Sequence, residues 1–97
     1  MNNKEFIIAA FYDFKPLKDL EQLQLAFRDF LEQRSIKGTI LFAKEGINGT
    51  IAGSKAAIEE FEVFLKAIKL FNQLNYKTSH ASFKPFPRLK IKIKDEI

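Results

Sequence analysis

Seven consecutive residues, Lys44-Glu45-Gly46-Ile47-Asn48-Gly49-Thr50, hold more hydrogen-bonding capacity than a plain turn needs. Gly46 and Gly49 permit positive φ, and Asn48-Gly49 is a strong tight-turn pair. A bare hairpin needs only one such pair. Lys44, Glu45, Asn48 and Thr50 add side chains that donate and accept. A loop that meets a ligand or a partner has this make-up; a hairpin with polar decoration shares it. The second constellation is a ladder. Arg88, Lys90, Lys92 and Lys94 alternate with Leu89, Ile91 and Ile93. Same-face residues of a strand recur about every 6.6–6.8 Å. That is near the spacing of successive phosphates, so such a strand can follow a polyanionic backbone. Lysines on an edge strand also block edge-to-edge pairing, which is an equally physical role.

Other chemistry is poorly represented. The chain has no Cys, which excludes a disulfide scaffold, a thiolate metal site and a Cys nucleophile within it. His80 is the single histidine. It has no thiolate or second imidazole to share a metal with, and Ser79 and Ser82 are its neighbours only along the chain. Asp13, Glu45 and Glu62 show no acid–base spacing. Phosphate-cradling and dinucleotide fingerprints are absent. We therefore expect no catalytic residue, metal or cofactor in these 97 residues.

Charge is segregated. Residues 1–75 carry ten Lys/Arg and ten Asp/Glu, whereas residues 76–97 carry six basic residues, including Lys77 and Lys84, against Asp95 and Glu96. The whole net charge of +4 thus resides at one end. A localised basic region suits a polyanionic partner, with solubility as the simpler role. No apolar run approaches the roughly 20 residues of a membrane span, and Met1-Asn2-Asn3-Lys4-Glu5 has no signal-peptide core. The reading is a cytoplasmic domain with no membrane partner.

The elements that must position these residues follow from periodicity. Phe6–Phe14 is apolar on both parities and reads as a central strand covered on at least part of both faces, ended by Lys15-Pro16. Asp19 fits an N-cap with Gln22 closing a capping box. Leu20, Leu23, Phe27, Phe30 and Leu31 give a helical stripe to about Arg34. Strands follow at Thr39–Lys44 and Ile47–Ala52. Ser54 caps a second helix with the stripe Ala57, Ile58, Phe61, Leu65 and Ile68, acidic near its start and basic near its end. Leu74–Ser79 is a fourth strand, His80–Pro87 a looser stretch, and Arg88–Lys94 a half-buried strand. The eleven Phe residues can fill such a core without disulfides.

This is one domain of α+β class: a ferredoxin-like βαββαβ order, two helices on one face of an antiparallel sheet, and an extra C-terminal strand. An RNA-recognition motif shares the order but needs aromatics on its third strand, where this chain has Ile47-Asn48-Gly49-Thr50-Ile51-Ala52. An acylphosphatase shares it too, but wants a Gly-rich anion turn with Arg after the first strand. Here Asp13-Phe14-Lys15-Pro16 stands instead.

The run Ile40-Leu41-Phe42-Ala43-Lys44-Glu45-Gly46-Ile47-Asn48-Gly49-Thr50-Ile51-Ala52-Gly53 resembles the signature of the N-terminal domain of rhodanese-related tRNA uridine hydroxylases, long classed as an uncharacterised family. So do the Phe11-Tyr12-Asp13-Phe14 ending of the first strand and the terminal Leu89-Lys90-Ile91-Lys92-Ile93-Lys94-Asp95-Glu96-Ile97. The resemblance implies a longer protein with a rhodanese domain and a reactive cysteine after residue 97. It implies oxygen-dependent conversion of the tRNA wobble uridine to 5-hydroxyuridine. The expected partners are tRNA and that rhodanese domain. No catalytic role carries over to a residue here. What carries over is an accessory module, with Lys44, Glu45, Gly46, Asn48, Gly49 and Thr50 as its signature and Lys77, Arg88, Lys90, Lys92 and Lys94 as candidate RNA contacts. The alternative is an interaction module that docks on the rhodanese domain or a second subunit without touching RNA.

Overall fold

Alternation along the first strand decides how the molecule is layered. In a computed structural model describing residues 5–71 and 73–95, β1 (Phe6–Phe14) sends Ala9 and Phe11 into the core and leaves Ala10, Tyr12 and Phe14 exposed. α1 (Leu20–Gln33), β2 (Lys37–Ala43), β3 (Gly46–Gly53), α2 (Lys55–Ala67), a short 3-10 turn at Lys69–Phe71, β4 (Asn75–Ala81) and β5 (Leu89–Ile93) follow. The five strands form one sheet in the order β4-β1-β3-β2-β5. The first four pair antiparallel, as expected for the ferredoxin-like α+β class. β5 adds itself parallel to β2, so the complete sheet is mixed.

That last pairing has a geometric cost. Neighbouring strands lie about 4.8 Å apart, so the chain travels roughly 19 Å from the β4 edge to the β5 edge. Residues 82–88 make the crossing, and an extended chain of that length reaches roughly 23–25 Å. The segment must run nearly taut, and Pro85 and Pro87 favour that extended state.

Both helices cover one face. α1 lies over β2 and β5, and its Gln24 Nε2 donates to the Ile91 carbonyl at 2.7 Å. α2 lies over β1 and β3. Between helices and sheet, Phe27 is fully buried, edge-on to Phe42 and to Phe64 with centroids 5.1 Å away in each case. Burying each such ring contributes about 1.5–3 kcal/mol.

Both helices pack on the odd-numbered side of β1, while on its other face Phe6 and Ile8 are partly buried and Ala10, Tyr12 and Phe14 exposed. Three expectations change. His80 and Ala81 belong to β4, which pairs with β1 out to Phe6. Asp19 does not form a capping box: it sits in the left-handed region (φ 54, ψ 48) without a side-chain cap, and its carbonyl accepts from Gln22 and Leu23 N–H instead. The acidic residues of α2 begin at Glu59, past its first turn, which weakens their dipole role, and Lys69 falls in the 3-10 turn. Ser54 does cap α2, its Oγ accepting from Ala57 N–H at 3.1 Å.

Candidate nucleic-acid interface

The seven-residue signature is not one loop. Ala43 pairs with Gly46, so the turn consists of Lys44 and Glu45 alone. Asn48-Gly49, the expected turn pair, lies inside β3, with Gly49 between Phe11 and Ile40. Its lack of a side chain serves packing: a Cβ there would stand 2.5 Å from Phe11 Cζ and 2.7 Å from Cε2. Gly46 likewise lets β1 approach, since a Cβ there would collide with the Asp13 carbonyl. The turn itself is held by the chain leaving β1. Lys15 N–H donates to the Glu45 carbonyl at 2.8 Å and Leu17 N–H to the Lys44 carbonyl at 2.9 Å.

The signature therefore divides by role. Lys44 and Glu45 are exposed at the turn, Gly46 and Gly49 permit close packing, and Asn48 and Thr50 emerge on the uncovered face. Strand register places them there among the basic residues. One row reads Lys77–Ala10–Thr50–Thr39–Lys90 across all five strands. The next reads Asn75–Tyr12–Asn48–Leu41–Lys92. In the first row every residue is exposed; in the second only Leu41 is partly buried. Lys37 stands on the same face, opposite Ala52. The strand residues of this face include no carboxylate, because Asp13 takes the odd-numbered side. Arg88 and Lys94 flank β5 at the same parity. The Arg88 carbonyl accepts from Gly38 N–H, and Lys94 N–H donates to the Phe42 carbonyl, both at 2.8 Å.

The face is thus basic at both rims, with hydroxyls and an amide between. It also carries what the sequence reading overlooked. Tyr12 and Phe14 stand on it 48% and 70% exposed, ring centroids 6.1 Å apart. Their even parity on the first strand is the sequence signal for this placement, and the third strand carries no aromatic residue. His80 is exposed on the opposite face, its Nδ1 3.9 Å from Glu5, and no metal-holding cluster occurs among the described residues.

Residues 6–97 match the family model described as the UPF0176 acylphosphatase-like domain. The chain belongs to that family. The tRNA uridine(34) hydroxylase of Bartonella quintana (strain Toulouse) is 49% identical to the chain over 94 residues, 97% of this chain and 31% of that protein. The protein of the same name from Brucella ovis is 44% identical over 97 residues, 32% of its length. The chain spans about a third of the length of these curated relatives. Among solved structures, the BLUF protein BlrB in its dark state superposes with a TM-score of 0.77 at 18% identity, over 95% of this chain and 74% of that one. Full-length HypF in its phosphate- and nucleotide-bound form gives 0.59 at 14% identity, over 90% of this chain and 12% of that one. At such identities the likeness is one of fold. The matched family is described as acylphosphatase-like, and in this chain Asp13 and Phe14 end the first strand and Lys15 and Pro16 follow it.

Proposed function

We propose that this chain is the N-terminal, tRNA-engaging domain of an oxygen-dependent tRNA wobble-uridine 5-hydroxylase that works in the cytoplasm. In this reading the hydroxylation belongs to a rhodanese domain beyond residue 97, whose reactive cysteine this chain does not supply. The domain's task is to hold the RNA. The carrying observation is the gathering of Lys37, Lys77, Lys90 and Lys92 on one open sheet face without a carboxylate between them. The names of relatives 44–49% identical to the chain supply the class of RNA.

Physically, the lysines of β5 recur at about the phosphate spacing, and each contact releases counterions from the RNA. Affinity then falls with salt by a slope of about 0.7–0.9 per contact. The test is tRNA binding by the full-length protein with Lys90, Lys92 and Lys94 all changed to Glu. A weaker affinity and a salt slope reduced by about 2–3 are expected. Unchanged affinity and slope would overturn the phosphate role.

A second reading draws on the exposed rings of Tyr12 and Phe14. In it the open face docks on the rhodanese domain or another subunit and the lysines only guard the sheet edge. Asn48→Ala with Thr50→Ala would then loosen domain association and leave tRNA affinity intact.

A further inference from the structure

Phosphate contacts explain the lysines but not the open aromatic rings beside them. Tyr12 and Phe14 occupy alternate positions at the end of β1, their planes inclined at 58°. Asn48 is the cross-strand partner of Tyr12. Together with Ile47 they line a recess of about 400 Å³. We propose that this recess is a base-binding site. It receives one unpaired nucleobase of an RNA strand, stacked on the Tyr12 or Phe14 ring, with the Asn48 amide bonded to the base edge. The proposal rests on the RNA reading above and names the RNA element that the face takes.

Three features favour a base over an apolar protein segment. First, the strand residues of this face carry only positive charge: Lys77 stands one strand from Tyr12 and Lys92 two strands from Asn48, and the nearby Glu45 lies in the turn outside the strands. A nucleotide bonded on both sides to phosphates fits that pattern, whereas a buried apolar partner would leave the lysines desolvated. Second, the neighbouring row offers a low floor. Ala10, Thr50 and Thr39 are small, and the two threonines face each other across β2 and β3. A sugar–phosphate chain can lie close there, with hydroxyls available to a 2′-OH. Third, Asn48 carries a donor and an acceptor on one planar group, which suits the edge of a base. Rings that stack bases on an open sheet are tolerant of sequence, so the recess gives affinity for unpaired RNA.

Binding of the 97-residue chain to a fluorescent uridine decamer, and to the same decamer carrying abasic riboses, tests this directly. The chain should prefer the base-bearing strand by about five- to a hundred-fold. Tyr12→Ala and Phe14→Ala should remove most of that preference without changing the salt slope, and Tyr12→Phe should retain it. Both rings are exposed, and thermal melts check that the variants stay folded. Equal affinity for the two decamers overturns the base site. So does a preference that survives both alanine variants, or a case in which those variants only loosen domain association in the full-length protein. In these cases the phosphate reading stands if Lys90→Glu with Lys92→Glu still flattens the salt slope. Failure to bind either decamer or tRNA removes the RNA reading itself.

Discussion

Gly49 lies directly under the ring of Phe11, its cross-strand partner, with no room for a methyl group. The pairing joins the two central strands at the middle of the core and is a reason for a glycine inside β3. Gly49→Ala is therefore expected to cost about 1–3 kcal/mol through overpacking, read as a lower urea midpoint. Shortening the ring should relieve part of it. A Gly49→Ala, Phe11→Leu pair is expected to be less destabilised than the sum of the single changes. Strict additivity would contradict the contact.

The same pair shows what was legible in the sequence. Element order, both helical stripes and the separation of basic from apolar residues on β5 follow from periodicity, because each face has one environment. Asn48-Gly49 misled for a physical reason. The dipeptide favours tight turns through φ, but here glycine is required by a ring 38 positions earlier in the chain, which no local pattern reports. Lys44-Glu45 makes the turn because Lys15 and Leu17 hold its carbonyls, again a long-range effect. Tyr12 and Phe14 were legible in principle. Two-fold alternation puts them on one face, but an apolar run on both parities hides which face will remain open.

The two helix starts should respond oppositely to mutation. Ser54 makes a side-chain cap and Asp19 does not. Ser54→Ala should cost about 1 kcal/mol. Asp19 pays instead for its left-handed backbone, so Asp19→Gly should leave stability within about 0.5 kcal/mol of the parent or raise it. Equal losses in the two variants, measured by thermal melts, would mean that Asp19 caps after all.

Tyr76 carries a buried hydroxyl with no hydrogen-bond partner among the described residues, while its ring stacks on Phe11 at 6.2 Å. Burial, and secondarily the Glu62 carboxylate, push its ionisation up to about 12 from the ordinary 10.0. Above pH 10 the unfolded chain releases this proton before the folded one does. The tyrosine's contribution is thus complete below pH 10 and is lost as pH rises toward 12. Tyr76→Phe keeps the ring, removes the unpaired group and should stabilise by on the order of 1 kcal/mol at neutral pH. It should also flatten the fall in stability between pH 10 and 12. A destabilised variant would show that the hydroxyl finds a partner in solution.

Arg34 makes three contacts at the end of α1, two to Phe30 of its own helix and one to Glu60 of α2. Its guanidinium lies 3.7 Å from the Phe30 ring centroid, its Nε donates to Glu60 at 2.7 Å and its Nη1 donates to the Phe30 carbonyl at 3.1 Å. Phe30 in turn stacks on Phe64 of α2 at 4.1 Å, so the arginine closes a sandwich over the helix–helix seam. The ion pair is largely exposed and contributes at most about 1 kcal/mol, and the ring contact about 0.5–1 kcal/mol. Arg34→Ala should therefore cost about 1–2 kcal/mol in urea unfolding. Arg34→Lys should recover little of it, because an ammonium cannot stack flat and reach both acceptors together. Glu60→Gln separates the terms. If salt and Glu60→Gln each leave the cost of Arg34→Ala unchanged, the ring and carbonyl contacts hold the seam. If the cost disappears in either case, the ion pair holds it.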